Sequence, residues 1–136
     1  MTDDGDVRPL LDKTVLARLR ADLDDDEGVW RVFVQDFIAH LPHRLQRLRL
    51  ALTTGDLPGS IDAVLSLKTS SQMVGAERLA SLALDLELNI REESRNSDPA
   101  IALPRLAADH LRGIKQCAQR TTNLLQAHLQ ERPGRN

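Results

Sequence analysis

Apolar residues in this 136-residue chain recur at intervals of three and four. Almost nowhere do they alternate with polar residues over the roughly four to eight positions that a half-buried strand requires. This periodicity predicts an all-α fold. The filling of the core follows from the same rows. Only Trp30, Phe33 and Phe37 carry large aromatic rings, so leucine and alanine, both good helix formers, must supply most of the buried volume. A chain of this length is expected to bury roughly 68% of its unfolded surface around one core.

The punctuation of the helices is equally legible. Residues 1–10 read as a flexible leader, and Asp12 as the N-cap of a short helix carrying Val15, Leu16, Leu19 and Leu23. The acidic run Asp24, Asp25, Asp26 and Glu27 precedes an apolar segment. There negative charge meets the positive end of a helix dipole, which favours a helix start over a metal loop. A second helix is expected over 28–54, with Trp30, Phe33, Phe37, Leu41, Leu45, Leu48 and Leu52 on one face. Pro42 is expected to kink or locally break it. Gly55 stops that helix and Asp56 caps a third, whose stripe is Leu57, Ile61, Val64, Leu67, Ser71 and Val74. After Gly75, a fourth helix over 76–95 turns Leu79, Leu82, Leu86 and Ile90 inward, while Leu84 and Leu88 widen its apolar surface. Asp98 and Pro99 open the last helix, which carries Leu103, Leu106, Leu111, Ile114, Leu124 and Leu125. Residues 131–136 read as a disordered tail, leaving 11–130 as the folded unit. Short turns favour antiparallel neighbours, so the expected architecture is an up-and-down four-helix bundle with the short first helix across one end. The initial methionine and polar tail suggest a free-standing protein.

Several function classes fall away. A net charge of −2 gives no basic field for a polyanion, and three aromatic residues cannot build a stacking platform, so nucleic acid is not an expected partner. No apolar run approaches the roughly 20 residues of a membrane span, and the acidic N-terminus is unlike a secretory signal. The lone Cys117 has no intrachain disulfide partner, which fits a reducing cytoplasm. His40 and His43 stand three apart, a spacing that can present two metal ligands, but no carboxylate matches and Pro42 intervenes. They are read as surface histidines, and neither a metal nor a cofactor is expected. His110 and His128 fall on or near the inward stripe of the last helix, where a hydrogen-bonded histidine is the ordinary outcome. No serine sits in a nucleophile elbow and no glycine loop cradles phosphate.

The third helix and its sequel are more specific: Leu65-Ser66-Leu67-Lys68-Thr69-Ser70-Ser71, then Gly75-Ala76, then Leu79, Leu82, Leu86 and Glu87. This arrangement resembles the histidine phosphotransfer (Hpt) domain of two-component phosphorelays, with its His-x-Leu-Lys-Gly-Ser run, its Gly-Ala and its leucine series ending in Leu-Glu. Leu11-Asp12, Leu41-Pro42, Arg44-Leu45 and Gly55-Asp56 extend the likeness upstream, over roughly residues 10–95. The resemblance implies a cytoplasmic signalling protein, not an enzyme in the usual sense, whose partner is a response-regulator receiver domain or a histidine kinase.

Two departures define the expectation. In the register of the resemblance, Leu65 stands where the family has its phosphoacceptor histidine, and Thr69 where it has glycine. The family's chemistry is attack by an imidazole nitrogen on a receiver phosphoaspartate, with the lysine offsetting phosphoryl charge. Lys68 keeps its place; Leu65 has no nitrogen to phosphorylate, and Thr69 adds β-branched bulk. Leu65 lies about 115° from the centre of the buried stripe and should be partly exposed. The resemblance then implies a receiver-docking face of Leu65, Lys68, Thr69 and Gln72 without a catalytic acceptor: a pseudo-Hpt decoy or adaptor. Two alternatives stand beside it. One is an active phosphotransfer protein using another acceptor such as His110, with Arg112 and Lys115 nearby. The other is a structural helical module forming a weak homo-oligomer.

Overall fold

The structure is a computed structural model that describes residues 8–23 and 26–130. Among them are five helices and no strand: α1 (Lys13–Asp22), α2 (Glu27–Thr53), α3 (Leu57–Met73), α4 (Glu77–Asn96) and α5 (Pro99–Gln130). The expected boundaries hold to within a residue or two because the caps that set them form. The carboxylates of Asp12, Asp26 and Asp56 accept from the backbone N–H of Thr14, Val29 and Gly59, and that of Asp98 from Ala100. Asp24, Asp25 and the 131–136 tail lie outside the described residues.

α2 packs on α3 and α5, and α4 on the same two, so the four long helices form a closed ring in chain order. Arg31 on the first turn of α2 donates to the Leu129 carbonyl near the end of α5, which fixes these two helices as antiparallel. Trp30, Val34, Leu48, Leu52, Leu67, Leu79, Leu86, Ile90, Leu103, Ile114 and Leu125 fill the interior almost without exposure. This is the up-and-down four-helix bundle with a short additional N-terminal helix. Leu124 departs from its expectation, being 39% exposed, because Leu125 beside it occupies the inward position. α2 also continues through Pro42. The proline removes one helical hydrogen bond, but buried Leu41 and Leu48 on either side hold the helix to the core.

The N-terminal arm sits over the α3–α4 turn. The Asp12 N–H donates to the Gly75 carbonyl (2.7 Å), and Arg78 donates from its backbone and side chain to the carbonyls of Pro9 and Arg8. The described end of the expected leader, residues 8–10, is therefore tied to the bundle. Residues 1–7 lie outside the description. Gly75 makes the close approach possible: its φ is +75°, and an added Cβ would stand 2.8 Å from the Asp12 carbonyl oxygen. Gly75→Ala is expected to destabilise the fold by about 1–3 kcal/mol, read as a lower urea midpoint with an unchanged slope. A midpoint equal to wild type would show that the arm is not held against this turn.

Candidate functional site

α3 exposes the site because of where its apolar residues fall. Ser60, Ala63, Val64, Leu67 and Ser71 are buried, which turns Asp62, Thr69 and Gln72 to solvent and leaves Leu65 half-buried at the flank. The expected docking residues therefore share an outward sector of one helix. Lys68 lies at the α4 margin of that sector. On the α2 margin, Arg44 donates to the Ser66 hydroxyl (3.4 Å), and Arg47 pairs with Asp62 (3.0 Å). The Ser70 hydroxyl donates to the Ser66 carbonyl.

Lys68 is engaged. Its Nζ lies 2.7 Å from Glu87 Oε1, while Arg91 Nε reaches Glu87 Oε2 at 3.1 Å. The Glu87 side chain is only 10% exposed. The hydrogen bond from Lys68, supported by Arg91, outweighs the cost of burial and holds this carboxyl below its ordinary value of 4.5. Glu87 thus links the lysine of α3 to the leucine series of α4. Sequence periodicity placed Leu86 inside but did not assign Glu87 a partner. Leu84, Glu87 and Arg91 recur at three and four along the flank of α4 that meets α3, and that spacing was the available signal. Leu84 is 41% exposed.

A depressed carboxyl contributes stability above its ordinary value and loses it as pH falls through the folded-state value. Glu87→Gln is accordingly expected to cost about 1–3 kcal/mol at neutral pH. The gap to wild type should close in urea titrations as pH falls through the lowered folded-state value and the carboxylate is protonated. A gap independent of pH would remove the ion pair from this account.

No imidazole lies on α3; all four histidines belong to α2 and α5. His110 is half-buried, with Nε2 3.1 Å from Asn89 Nδ2. Glu87 and Asn89 are about 200° apart around α4, so His110 and Lys68 stand on opposite sides of that helix. His128 is half-buried too. His40 and His43 are exposed, and the Nδ1 of His40 is 2.7 Å from the Asp36 carbonyl. His40 also shares a groove of about 340 Å³ with Phe33, Arg44, Ser70 and Met73, which sets it near α3. Sequence spacing gave no sign of that proximity. Cys117 is buried, and burial pushes its thiol pKa up. Among the described residues no three His, Cys, Asp or Glu side chains gather as metal ligands, and no helix is long and apolar enough to cross a membrane.

The family model of the Hpt domain matches residues 32–131, most of the bundle. The chain belongs to the Hpt domain family. Among solved structures, this Hpt domain is similar to histidine-containing phosphotransfer protein B (HptB) from Pseudomonas aeruginosa PAO1, with a TM-score of 0.72 and 25% identity. The likeness covers 90% of this chain and 96% of that one. No curated protein gives a significant match. Hpt domains are phosphotransfer carriers that interact with receivers and kinases in phosphorelays, rather than classical enzymes. The matched region of this Hpt domain includes α3, the Lys68–Glu87 pair and the whole of α5.

Proposed function

We propose that this Hpt domain is a cytoplasmic docking protein of a phosphorelay, engaging a receiver domain or a kinase without carrying phosphate. Leu65 carries the reading. In the register of the family's His-x-Leu-Lys-Gly-Ser run it takes the acceptor's position, and its partial exposure on α3 supports a contact role. Thr69 and Gln72 flank it in solvent, and Lys68 borders it. An aliphatic side chain there can be buried by a partner, but it offers no lone pair for a phosphoryl group. Such a protein competes with, or bridges, the partners of a working phosphotransfer domain.

The test is a calorimetric titration of the intact chain with purified receiver domains from the same cell, each with and without its phosphoryl group. Saturable binding to at least one receiver, with no phosphoryl group left on this chain, is the expected result. Failure to bind any receiver or kinase, together with concentration-dependent self-association, would favour the structural module instead.

One observation favours a second reading, in which phosphate is accepted at a histidine outside α3. With Nδ1–H donated to the Asp36 carbonyl, the exposed His40 keeps its Nε2 lone pair outward, and Arg44 follows one turn later. His40 is the better placed candidate; His110 has Nε2 against Asn89 and lies across α4 from Lys68. Phosphorylation that disappears in His40→Gln or His110→Gln would establish this reading and displace the first.

A further inference from the structure

The ring order of the helices puts the α2–α5 edge opposite the α3–α4 edge that carries Leu65 and the Lys68–Glu87 pair. On that opposite edge lies the larger groove, about 570 Å³. Its floor is apolar: Leu41, Ile114 and Ala118 are buried, with Leu45 and Leu111 half-buried beside them. Its rim is cationic. Arg49, Arg112 and Lys115 all line it, all are exposed, and among the described residues no carboxylate lines it. Arg47, Lys68, Arg91 and Arg95 are drawn into ion pairs elsewhere, whereas among the described residues these three cations meet no carboxylate partner. The rim thus sets three positive charges around an apolar floor in a chain whose net charge is −2.

We infer that this groove is a second docking surface, and that its occupant is an acidic amphipathic helix of a partner protein. Shape and charge both select that occupant. The trough follows two antiparallel helices, and residues 111–122 rise about 17 Å along it, some three helical turns. It is only partly enclosed, which suits a helix laid between two helices better than a small ligand, whose surface a pocket would mostly enclose. Leucine-type residues at i, i+4 and i+7 of such a helix would cover Leu45, Leu111 and Ala118. Carboxylates flanking that stripe would meet Arg49, Arg112 and Lys115, an arrangement that speeds encounter and rejects basic helices. Because the two edges are opposite, this surface and the α3 face can be occupied together, as an adaptor requires.

The probe is a fluorescein-labelled synthetic peptide of about five helical turns, with leucine at i, i+4 and i+7 and glutamate on both flanks. Controls carry lysine in place of every glutamate, or the same composition scrambled. Fluorescence anisotropy with the intact chain should show saturable binding of the acidic helix alone, weakening as salt is raised. Arg112→Glu with Lys115→Glu should weaken it about tenfold or more. Gln119→Trp, which covers the floor from the exposed rim, should weaken it without changing charge. Circular dichroism confirms that both variants remain folded, and receiver binding through α3 should persist in them. Equal binding of the lysine or scrambled peptide, no binding, or indifference to both variants would overturn the inference. So would binding to phosphatidylglycerol vesicles in place of the peptide, or a dimer in sedimentation that the charge reversal dissolves. Those two outcomes would give the surface to a membrane or to a second copy.

Discussion

Replacing Leu65 by histidine and Thr69 by glycine together is expected to give a chain that takes a phosphoryl group stoichiometrically from a phosphorylated receiver. The backbone needs no rebuilding, because α3 already holds residue 65 partly exposed in the sector it shares with residues 69 and 72. In the transfer, the acyl phosphate P–O bond of the receiver aspartate breaks, a P–N bond to the imidazole forms, and the ring proton leaves to solvent. Lys68, three residues on and held by Glu87 at 2.7 Å, supplies positive charge at the border of that sector. Removing the Thr69 side chain opens the approach; a glycine inside the helix costs about 1 kcal/mol, which a cored bundle tolerates. The label should be acid-labile and base-stable, and Leu65→His alone should acquire it more slowly. A double variant that stays helical, still binds the receiver and takes no label would show that more than the reactive group is missing.

Leu65→Asp is expected to have the largest effect on docking. Taking a leucine from full exposure to full burial contributes about 1.5–3 kcal/mol, and covering the half of Leu65 still exposed contributes a share of that. That share is a modest part of the roughly 8 kcal/mol of a micromolar association. Placing an unpaired carboxylate in the same contact adds a desolvation cost. Receiver affinity should fall about a hundredfold or more. The fold should survive, because Leu65 lies outside the buried stripe of Val64 and Leu67. Leu124→Asp, at an exposed apolar residue on α5, serves as control and should bind like wild type. Equal affinity in Leu65→Asp and wild type would remove the α3 face from the interaction.

The bundle was legible in the sequence because its determinants are local. Asp12, Asp26, Asp56 and Asp98 each cap a helix within three residues of themselves, and Gly55 and Gly75 each end one with positive φ. The exposure of Leu65 was equally legible, since an angle around one helix decides it. What periodicity could not show depends on where separate helices meet. Glu87 reads as a polar neighbour of Leu86 until α3 brings Lys68 against it, 19 residues earlier in the chain. His40 reads as a surface histidine until Ser70 and Met73 are placed across a groove from it. The cationic trough joins residues near 41–49 to others near 111–122, and no local pattern links them. Leu124 and Leu125 show the smaller failure. Two adjacent leucines near the edge of a stripe cannot both point inward, and spacing alone did not choose between them.

An Hpt domain that grips its partner but holds no phosphate should stay unlabelled while bound to a phosphorylated receiver. The most direct test is to incubate the unmodified chain with a receiver that it binds, radiolabelled on the receiver aspartate, and to separate the two proteins under conditions that preserve phosphohistidine. This chain is expected to emerge unlabelled from a mixture in which the complex has demonstrably formed. An acid-labile, base-stable label on the chain, at His40, His110 or any other histidine, would contradict it.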